Sequence, residues 1–332
     1  MTHARIAVLG AGSWGTALSL LLARNGHEVM LWARDELQVS AMKASNQNEK
    51  YLPGFSFPPQ LQVSGDIQAT ARFATDLWVV VPSTVFRDTL KAFKPFVGDA
   101  ARIVWATKGL ERHTAKFFHQ VVSEELGASR AMAVISGPTF AKEVVQGLPT
   151  ALTIASTHGD FAQELATHLG NDSFRAYTST DMVGVQLGGA AKNVLAIAAG
   201  ISDGLGFGAN TRAALITRGL HEIVRLGEKL GGLTPTFMGL AGLGDIILTC
   251  TENQSRNRRL GLALAQGLTL AQACAQIHQV VEGIPTAEEL IHLARPFALE
   301  LPIIEQVHQV IQGRIQPVQA VRHLLARQMK AE

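Results

Sequence analysis

The apolar run Ile6-Ala7-Val8-Leu9 ends in Gly10-Ala11-Gly12-Ser13-Trp14-Gly15, and helix-forming residues follow at once. A Gly-x-Gly-x-x-Gly between a strand and a helix leaves few folds open. Gly10 allows the tight turn, Gly12 lets backbone approach a pyrophosphate, and Gly15 lets the helix sit close to the strand. The helix start adds free N–H groups and the positive end of its dipole, both of which favour phosphate. The helix has a stop signal at Asn25-Gly26. The sequence therefore predicts a strand–turn–helix unit that holds a dinucleotide.

The rest of the first half continues the alternation. Strand-like runs occur at 4–10, 28–33, 77–81, 102–106, 132–136 and 150–155, with helix-like stretches at 13–24, 84–94, 114–126 and 160–169. That order predicts a parallel sheet with helices on both faces. The strands read as unbroken apolar runs such as Trp78-Val79-Val80-Val81, as expected of strands buried on both sides. Residues 45–59, rich in Asn, Pro and aromatics, read as a long excursion near the cofactor and not as a strand. Beyond about 180 the strand signal fades into helical periodicity. The expected division is a nucleotide-binding domain at 1–180 and a helical domain at 181–332. The small polar residues Thr178-Ser179-Thr180-Asp181 at the boundary are good helix caps.

Composition narrows the class. At 332 residues two domains are expected. A net charge of +2 argues against a nucleic-acid groove. Two cysteines, Cys250 and Cys274, exclude a disulfide framework and favour a reducing compartment, so a cytoplasmic location is expected. The first strand starts too early to leave room for a cleavable signal. No uninterrupted apolar run reaches the roughly 18 residues of a membrane span. Eleven scattered histidines form no metal motif, so no metal is expected.

Several other segments carry chemistry. The second strand ends near Arg34-Asp35, about 20 residues past the glycines. An acid there would hold a ribose 2′-OH and an Arg a 2′-phosphate; Arg34 favours NADP over NAD, unless both residues are plain turn residues. Strand ends at Val81-Pro82-Ser83, Thr107-Lys108-Gly109 and Ser136-Gly137-Pro138-Thr139 fall where ligands bind in open α/β sheets. The stretch 182–201, MVGVQLGGAAKNVLAIAAGI, is apolar on nearly all sides and so is a buried helix. A lysine in its middle, Lys192, is costly unless paired. Desolvation lowers its pKa and suits it to proton transfer; the alternative is a snorkelling side chain at a domain edge. Asp245, after Gly239-Leu240-Ala241-Gly242-Leu243-Gly244, is either its ion-pair partner or a helix cap. Ser255-Arg256-Asn257-Arg258-Arg259 at a helix start reads as an anion site, or as an exposed basic turn if it stood alone.

The ordered set GAGSWGTAL, VVVPS, ATKGL, SGPTFA, LGGAAKN, GLGD, SRN and VVEG spans residues 10–283 and resembles the bacterial glycerol-3-phosphate dehydrogenase [NAD(P)+] family. The resemblance implies an α/β fold, an N-terminal Rossmann doubly wound sheet joined to an all-α domain. It implies hydride transfer between NAD(P)H and dihydroxyacetone phosphate, giving sn-glycerol 3-phosphate for phospholipid synthesis. Lys192 then looks like the proton donor and acceptor, Asp245 its partner, and Lys108 a second active-site lysine. Gly137 and Thr139 resemble substrate contacts, and Ser255, Arg256 and Asn257 a phosphate clamp. Besides Gly10, Gly12 and Gly15, the cofactor positions it implies are Ser13, Trp14, Arg34, Lys108, Ala141, Arg256, Val280 and Glu282. A homodimer is implied by resemblance alone. Ala191 departs from the family's commoner Leu, which touches only packing. The competing readings are a two-domain β-hydroxyacid dehydrogenase or ketopantoate reductase, a non-catalytic dinucleotide sensor, and Schiff-base chemistry at Lys192.

Overall fold

A computed structural model of the chain describes residues 3–326. The outermost residues of both expected domains, 1–2 and 327–332, lie outside the described residues. The chain forms two compact units. The first runs up to Thr107 and resumes over Lys116–Val185; the second comprises Lys108–Ala115 and everything from Gln186 onward. The division thus falls inside the helix Met182–Gly204 rather than before it, and the short Lys108–Ala115 segment goes with the helical unit.

Among the described residues the first unit has ten strands: β1 (Arg5–Leu9), β2 (Glu28–Trp32), β3 (Gln47–Asn48), β4 (Leu52–Ser56), β5 (Leu61–Ser64), β6 (Asp76–Val79), β7 (Arg102–Trp105), β8 (Met132–Ser136), β9 (Thr150–Ser156) and β10 (Phe174–Ser179). Eight form one sheet in the order β10-β9-β8-β7-β6-β1-β2-β5. All neighbours are parallel except β8 and β9. Leu9 pairs with both Trp32 and Val79, and Val79 with Trp105. That register brings Gly10, Ala33, Val80 and Ala106 to one carboxyl edge, where ligands bind in such sheets. Ile6, Val8, Leu31, Trp78, Val104 and Ile135 are essentially without solvent contact, as strands covered on both faces require. The helix α1 (Ser13–Arg24) is buried from Gly15 to Ala23.

Five details differ from the sequence expectation, the first being the edge strand β10 itself, which ends at Ser179 where the sequence predicts only capping residues. The excursion at 45–59 contains a small hairpin, β3 antiparallel to β4. It is entered through Asn46 in the left-handed region, φ 52°. The edge strand β5 is an addition, because its four residues carry too little periodicity to announce it. β9 runs antiparallel to β8, since the 137–149 connection turns the chain back without a crossover. The helix expected at 114–126 starts only at Phe118. His113 (φ 69°) and Ala115 (φ 54°) take left-handed backbone there, which no helix tolerates.

At the amino edge of the sheet Arg102 pairs with Asp76 at 2.6 Å and with Glu164 at 2.5 Å. Asp76, Glu164 and His168 are the group among the described residues close enough together to hold a metal ion. The Arg102 guanidinium already supplies their cation.

The second unit is helical. Its central helix ends at Gly204 and would pass for a membrane span by length and composition, but 94% of its most apolar window is buried inside the protein. Small residues set how closely its neighbours approach. A Cβ on Gly200 would lie 2.1 Å from the Arg258 carbonyl oxygen, and one on Gly261 would lie 2.1 Å from that of Ile197.

Candidate active site

In the first unit the glycine turn has the geometry of a phosphate cradle. Gly10 has φ +118°, and a Cβ there would lie 2.5 Å from the Val80 oxygen. A Cβ on Gly15 would lie 1.9 Å from the Gly10 oxygen. Both positions therefore demand glycine. Gly12 faces open space: a Cβ there would meet nothing within 4 Å. It caps α1 with extended backbone and no side-chain bond. The first-turn N–H groups of such a helix have no intrahelical acceptor. A dinucleotide pyrophosphate fits this donor set. The Trp14 indole N–H is shielded from solvent and has no hydrogen-bond partner. Ser13 donates to the Tyr51 carbonyl at 2.8 Å.

Arg34 and Asp35 separate into two roles. The Asp35 carboxylate accepts from the Leu37 N–H at 3.0 Å and caps α2 (Glu36–Ser45). Arg34 is exposed beside it. The acid is thus engaged in holding a helix while the cation is presented to solvent.

The remaining sequence-predicted residues of this unit lie around β8. Gly137 follows β8, and a Cβ there would lie 2.7 Å from the Leu152 Cα, so β9 packing alone requires glycine. Thr139 bonds back to the Gly137 carbonyl at 3.2 Å, and Ala141 opens the turn of helix Ala141–Val145. The buried Ser136 hydroxyl has no partner.

The second unit brings Lys108, Lys192 and Asp245 together. One Asp245 carboxylate oxygen contacts Lys192 Nζ at 2.5 Å, and the other contacts Lys108 Nζ at 2.5 Å. Asp245 has no solvent exposure, Lys192 is 9% exposed, and Lys108 is half-buried. Lys192 is therefore not a snorkelling side chain. Nor is Asp245 a helix cap: it is the first residue of helix Asp245–Thr251, and Gly244 occupies the capping position. A five-residue π turn, Leu240–Gly244, aims the carboxylate. That turn is wedged between Gly188, whose Cβ would meet the Ala241 oxygen at 2.6 Å, and Phe237, whose oxygen a Cβ on Gly242 of the turn would meet at 2.1 Å. Gly188 thus serves a close backbone approach.

Two lysines sharing one buried carboxylate set the electrostatics. Desolvation pushes the Lys192 pKa down to about 8; Asp245 opposes the fall and Lys108 adds to it. A lysine tuned near neutrality can both release and recover a proton. Thr249, one turn beyond Asp245, accepts from Lys192 Nζ at 3.0 Å and donates to the Asp245 carbonyl at 2.6 Å. Sequence reasoning missed Thr249; its signal was the i,i+4 spacing from Asp245.

A second network joins the later motifs. Asn193 donates to the Lys108 carbonyl at 3.4 Å and accepts from the Asn257 amide at 2.8 Å. Asn257 in turn accepts from the Gly283 N–H at 2.9 Å. Ser255 caps helix Arg256–Ala265 by accepting from the Arg258 N–H. The basic cluster is not uniform, and its reading as a three-arginine anion site is too broad. Arg258 is buried, paired with Asp203 at 2.6 Å and bonded to the Cys250 carbonyl, so it serves packing. Arg256 and Arg259 remain exposed. Partial desolvation lowers the Arg256 pKa and the Glu282 carboxylate works against that; a guanidinium stays a cation. Val280 is exposed and Glu282 half-buried just before helix Gly283–Ala294.

Comparison with known proteins gives the family. Residues 5–162 match the family model described as the NAD-dependent glycerol-3-phosphate dehydrogenase N-terminus, and residues 181–322 its C-terminus. A glycerol-3-phosphate dehydrogenase [NAD(P)+] of Thioalkalivibrio sulfidiphilus is 54% identical over 332 residues, covering 100% of both chains. One from Nitrosococcus oceani is 54% identical over 328 residues, covering 99% of this chain and 95% of its own. The crystal structure of glycerol-3-phosphate dehydrogenase from Coxiella burnetii superposes with a TM-score of 0.95 at 47% identity, covering 98% of this chain and 99% of that one. The chain belongs to the NAD-dependent glycerol-3-phosphate dehydrogenase family.

Proposed function

We propose that this chain reduces dihydroxyacetone phosphate to sn-glycerol 3-phosphate with NAD(P)H, and runs the reverse reaction, supplying the glycerol backbone for phospholipid synthesis. The single observation that carries the reading is the buried Lys108–Asp245–Lys192 triad, with Lys192 held near pKa 8. A non-catalytic dinucleotide sensor has no use for two lysines gathered on one buried aspartate.

The bound nicotinamide supplies or takes up the hydride at C2. Lys192 Nζ, as an ammonium, donates a hydrogen bond to the C2 oxygen and gives it a proton during reduction; as a neutral amine it takes that proton back during oxidation. Asp245 keeps Lys192 charged and oriented. Lys108 bears on cofactor and substrate. Ser255, Arg256 and Asn257, with Gly137 and Thr139, hold the substrate, so that binding of the remote phosphate orients the carbonyl. Gly10, Gly12, Ser13, Trp14 and Gly15 would hold the dinucleotide, with Arg34, Ala141, Val280 and Glu282 supplying further contacts. NADP is the better cofactor, because Asp35 is spent on capping and Arg34 is presented outward. We assign nucleotide binding chiefly to 1–180 and substrate binding chiefly to 181–332. A cytoplasmic homodimer completes the reading; the low cysteine content supports the compartment, and family likeness alone supports the dimer.

Purified protein mixed with dihydroxyacetone phosphate and NADPH, with NADH in parallel, tests this by loss of reduced-nicotinamide absorbance. Rapid oxidation, faster with NADPH, is expected. NADPH binding without oxidation would defeat the substrate assignment and point to hydroxyacid or ketopantoate substrates.

A further inference from the structure

The hairpin at 47–56 bears no residue that the proposed reaction uses, yet it is tied to the glycine turn at several points. Asn48, on β3, is 1% exposed. Its amide nitrogen donates to the Ala11 carbonyl at 3.0 Å and to the Thr16 hydroxyl at 2.8 Å, and its amide oxygen accepts from the Tyr51 N–H at 3.3 Å. Gln38, on α2, donates to the same Ala11 carbonyl at 2.8 Å. Ser13 closes the arrangement through the Tyr51 carbonyl. Two amides from different elements thus converge on one carbonyl in the middle of Gly-x-Gly-x-x-Gly.

The consequence is geometric. The Ala11 carbonyl belongs to the same peptide unit as the Gly12 N–H. Pinning the oxygen fixes the plane of that unit and aims its N–H the opposite way. Thr16 lies in the first turn of α1, so the second amide bond fixes the helix start relative to the turn. Glycine positions have many backbone states, and a loop built on three of them spends entropy when a ligand orders it. Holding the loop in advance removes part of that cost.

We propose that Asn48 is a positioning residue of the dinucleotide turn, with Gln38 as its auxiliary, and that the hairpin exists to deliver the Asn48 amide to the Ala11 carbonyl. The inference rests on the dinucleotide reading above. Asn48 touches the loop, not the cofactor, so its loss weakens cofactor binding and spares the chemical step.

The test is NADPH binding to the free enzyme, followed by steady-state kinetics, in Asn48→Ala, Gln38→Ala and Gln47→Ala. The Gln47 side chain bonds to Glu49 and to the Gly54 N–H, away from the glycine turn, and serves as control. Asn48→Ala is expected to raise the NADPH Kd and KM at least about tenfold, the scale of one lost buried hydrogen bond. Its kcat at saturating NADPH and its KM for dihydroxyacetone phosphate should stay within about twofold. Gln38→Ala should move the NADPH constants the same way by less, and Gln47→Ala should leave them unchanged. Unchanged NADPH affinity in a folded Asn48→Ala, or a fall in kcat with KM constant, overturns the proposal. If Asn48→Ala does not fold, half-exposed Gln38 decides it: an unchanged KM for NADPH in Gln38→Ala overturns it. Failure of the wild-type protein to bind NADPH would instead defeat the dinucleotide reading and this inference with it.

Discussion

At the scale of single residues, Lys192 dominates. Its downward shift fixes the sign of the pH dependence. Reduction needs the ammonium, so its rate should be flat below about pH 8 and fall above it; oxidation needs the amine and should rise through the same region. Matching pH profiles of kcat for the two directions check this, and limbs of the same sign would refute it. Lys108→Met removes a like charge that depresses Lys192, so the limb should move to higher pH. Lys192→Ala should lose nearly all turnover and keep NADPH affinity, as read by turnover beside a binding titration. Much of this was legible in the sequence, because a lysine in an otherwise apolar helix has to be paired. Asp245 could be named as its candidate partner, but the contact itself could not be seen, since 53 residues separate the two and only tertiary packing joins them. The same is true of Asn193 and Asn257, whose bond spans 64 positions. The arginine cluster misled because sequence does not show which face of its helix is buried: Arg258 turns inward and Arg256 outward.

At the scale of elements, the long apolar strands and the glycine turn could be read directly, because burial on both faces leaves continuous hydrophobic runs. The two-residue β3, the four-residue β5 and the antiparallel sense of β9 could not. Such strands are fixed by their neighbours rather than by their own pattern. The π turn before Asp245 is likewise set by tertiary crowding at Gly188 and Gly242. Gly188→Ala tests that crowding. Its methyl would press on the Ala241 carbonyl, so the turn must shift and the Asp245 carboxylate with it. Activity should fall by an order of magnitude or more, with stability lost by about 1–3 kcal/mol, the usual cost of overpacking. Wild-type turnover in that variant would show that the turn has slack. A second element-scale prediction concerns Glu222, which is buried and accepts from the Ile303 and Ile304 N–H groups at the start of helix Pro302–Ile311. Burial raises its pKa to about 7 against those two bonds. Its folded value lies above its unfolded one, so this contribution to stability is fully present below about pH 4.5 and is lost as pH rises through about 7. Urea denaturation at pH 5 and pH 8 should show the loss in the wild type and a flatter profile in Glu222→Gln.

At the scale of the whole molecule, the chain forms two compact units, and a chemical probe already lies inside the helical one. Cys250 follows Asp245 by five positions on helix Asp245–Thr251, has no solvent exposure, and has its thiol pushed up to about 12 by burial. Only the thiolate reacts, and at pH 8 a thiol of that pKa is ionised to roughly one part in ten thousand. Cys274 is partly buried and also raised by desolvation, but far less enclosed. The native protein should therefore react with at most one equivalent of a thiol reagent, at Cys274, whereas the urea-unfolded chain exposes both thiols. With Cys274→Ser, the residual labelling rate of Cys250 measures how often the unit that carries Lys192 opens. In the limit of fast reclosing that rate reports the free energy of opening. If the rate rises with urea as steeply as global unfolding does, the triad is protected by the whole unit. A rate independent of urea would mean instead that the short helix bearing Asp245 opens alone, and labelling would then inactivate the enzyme without unfolding it.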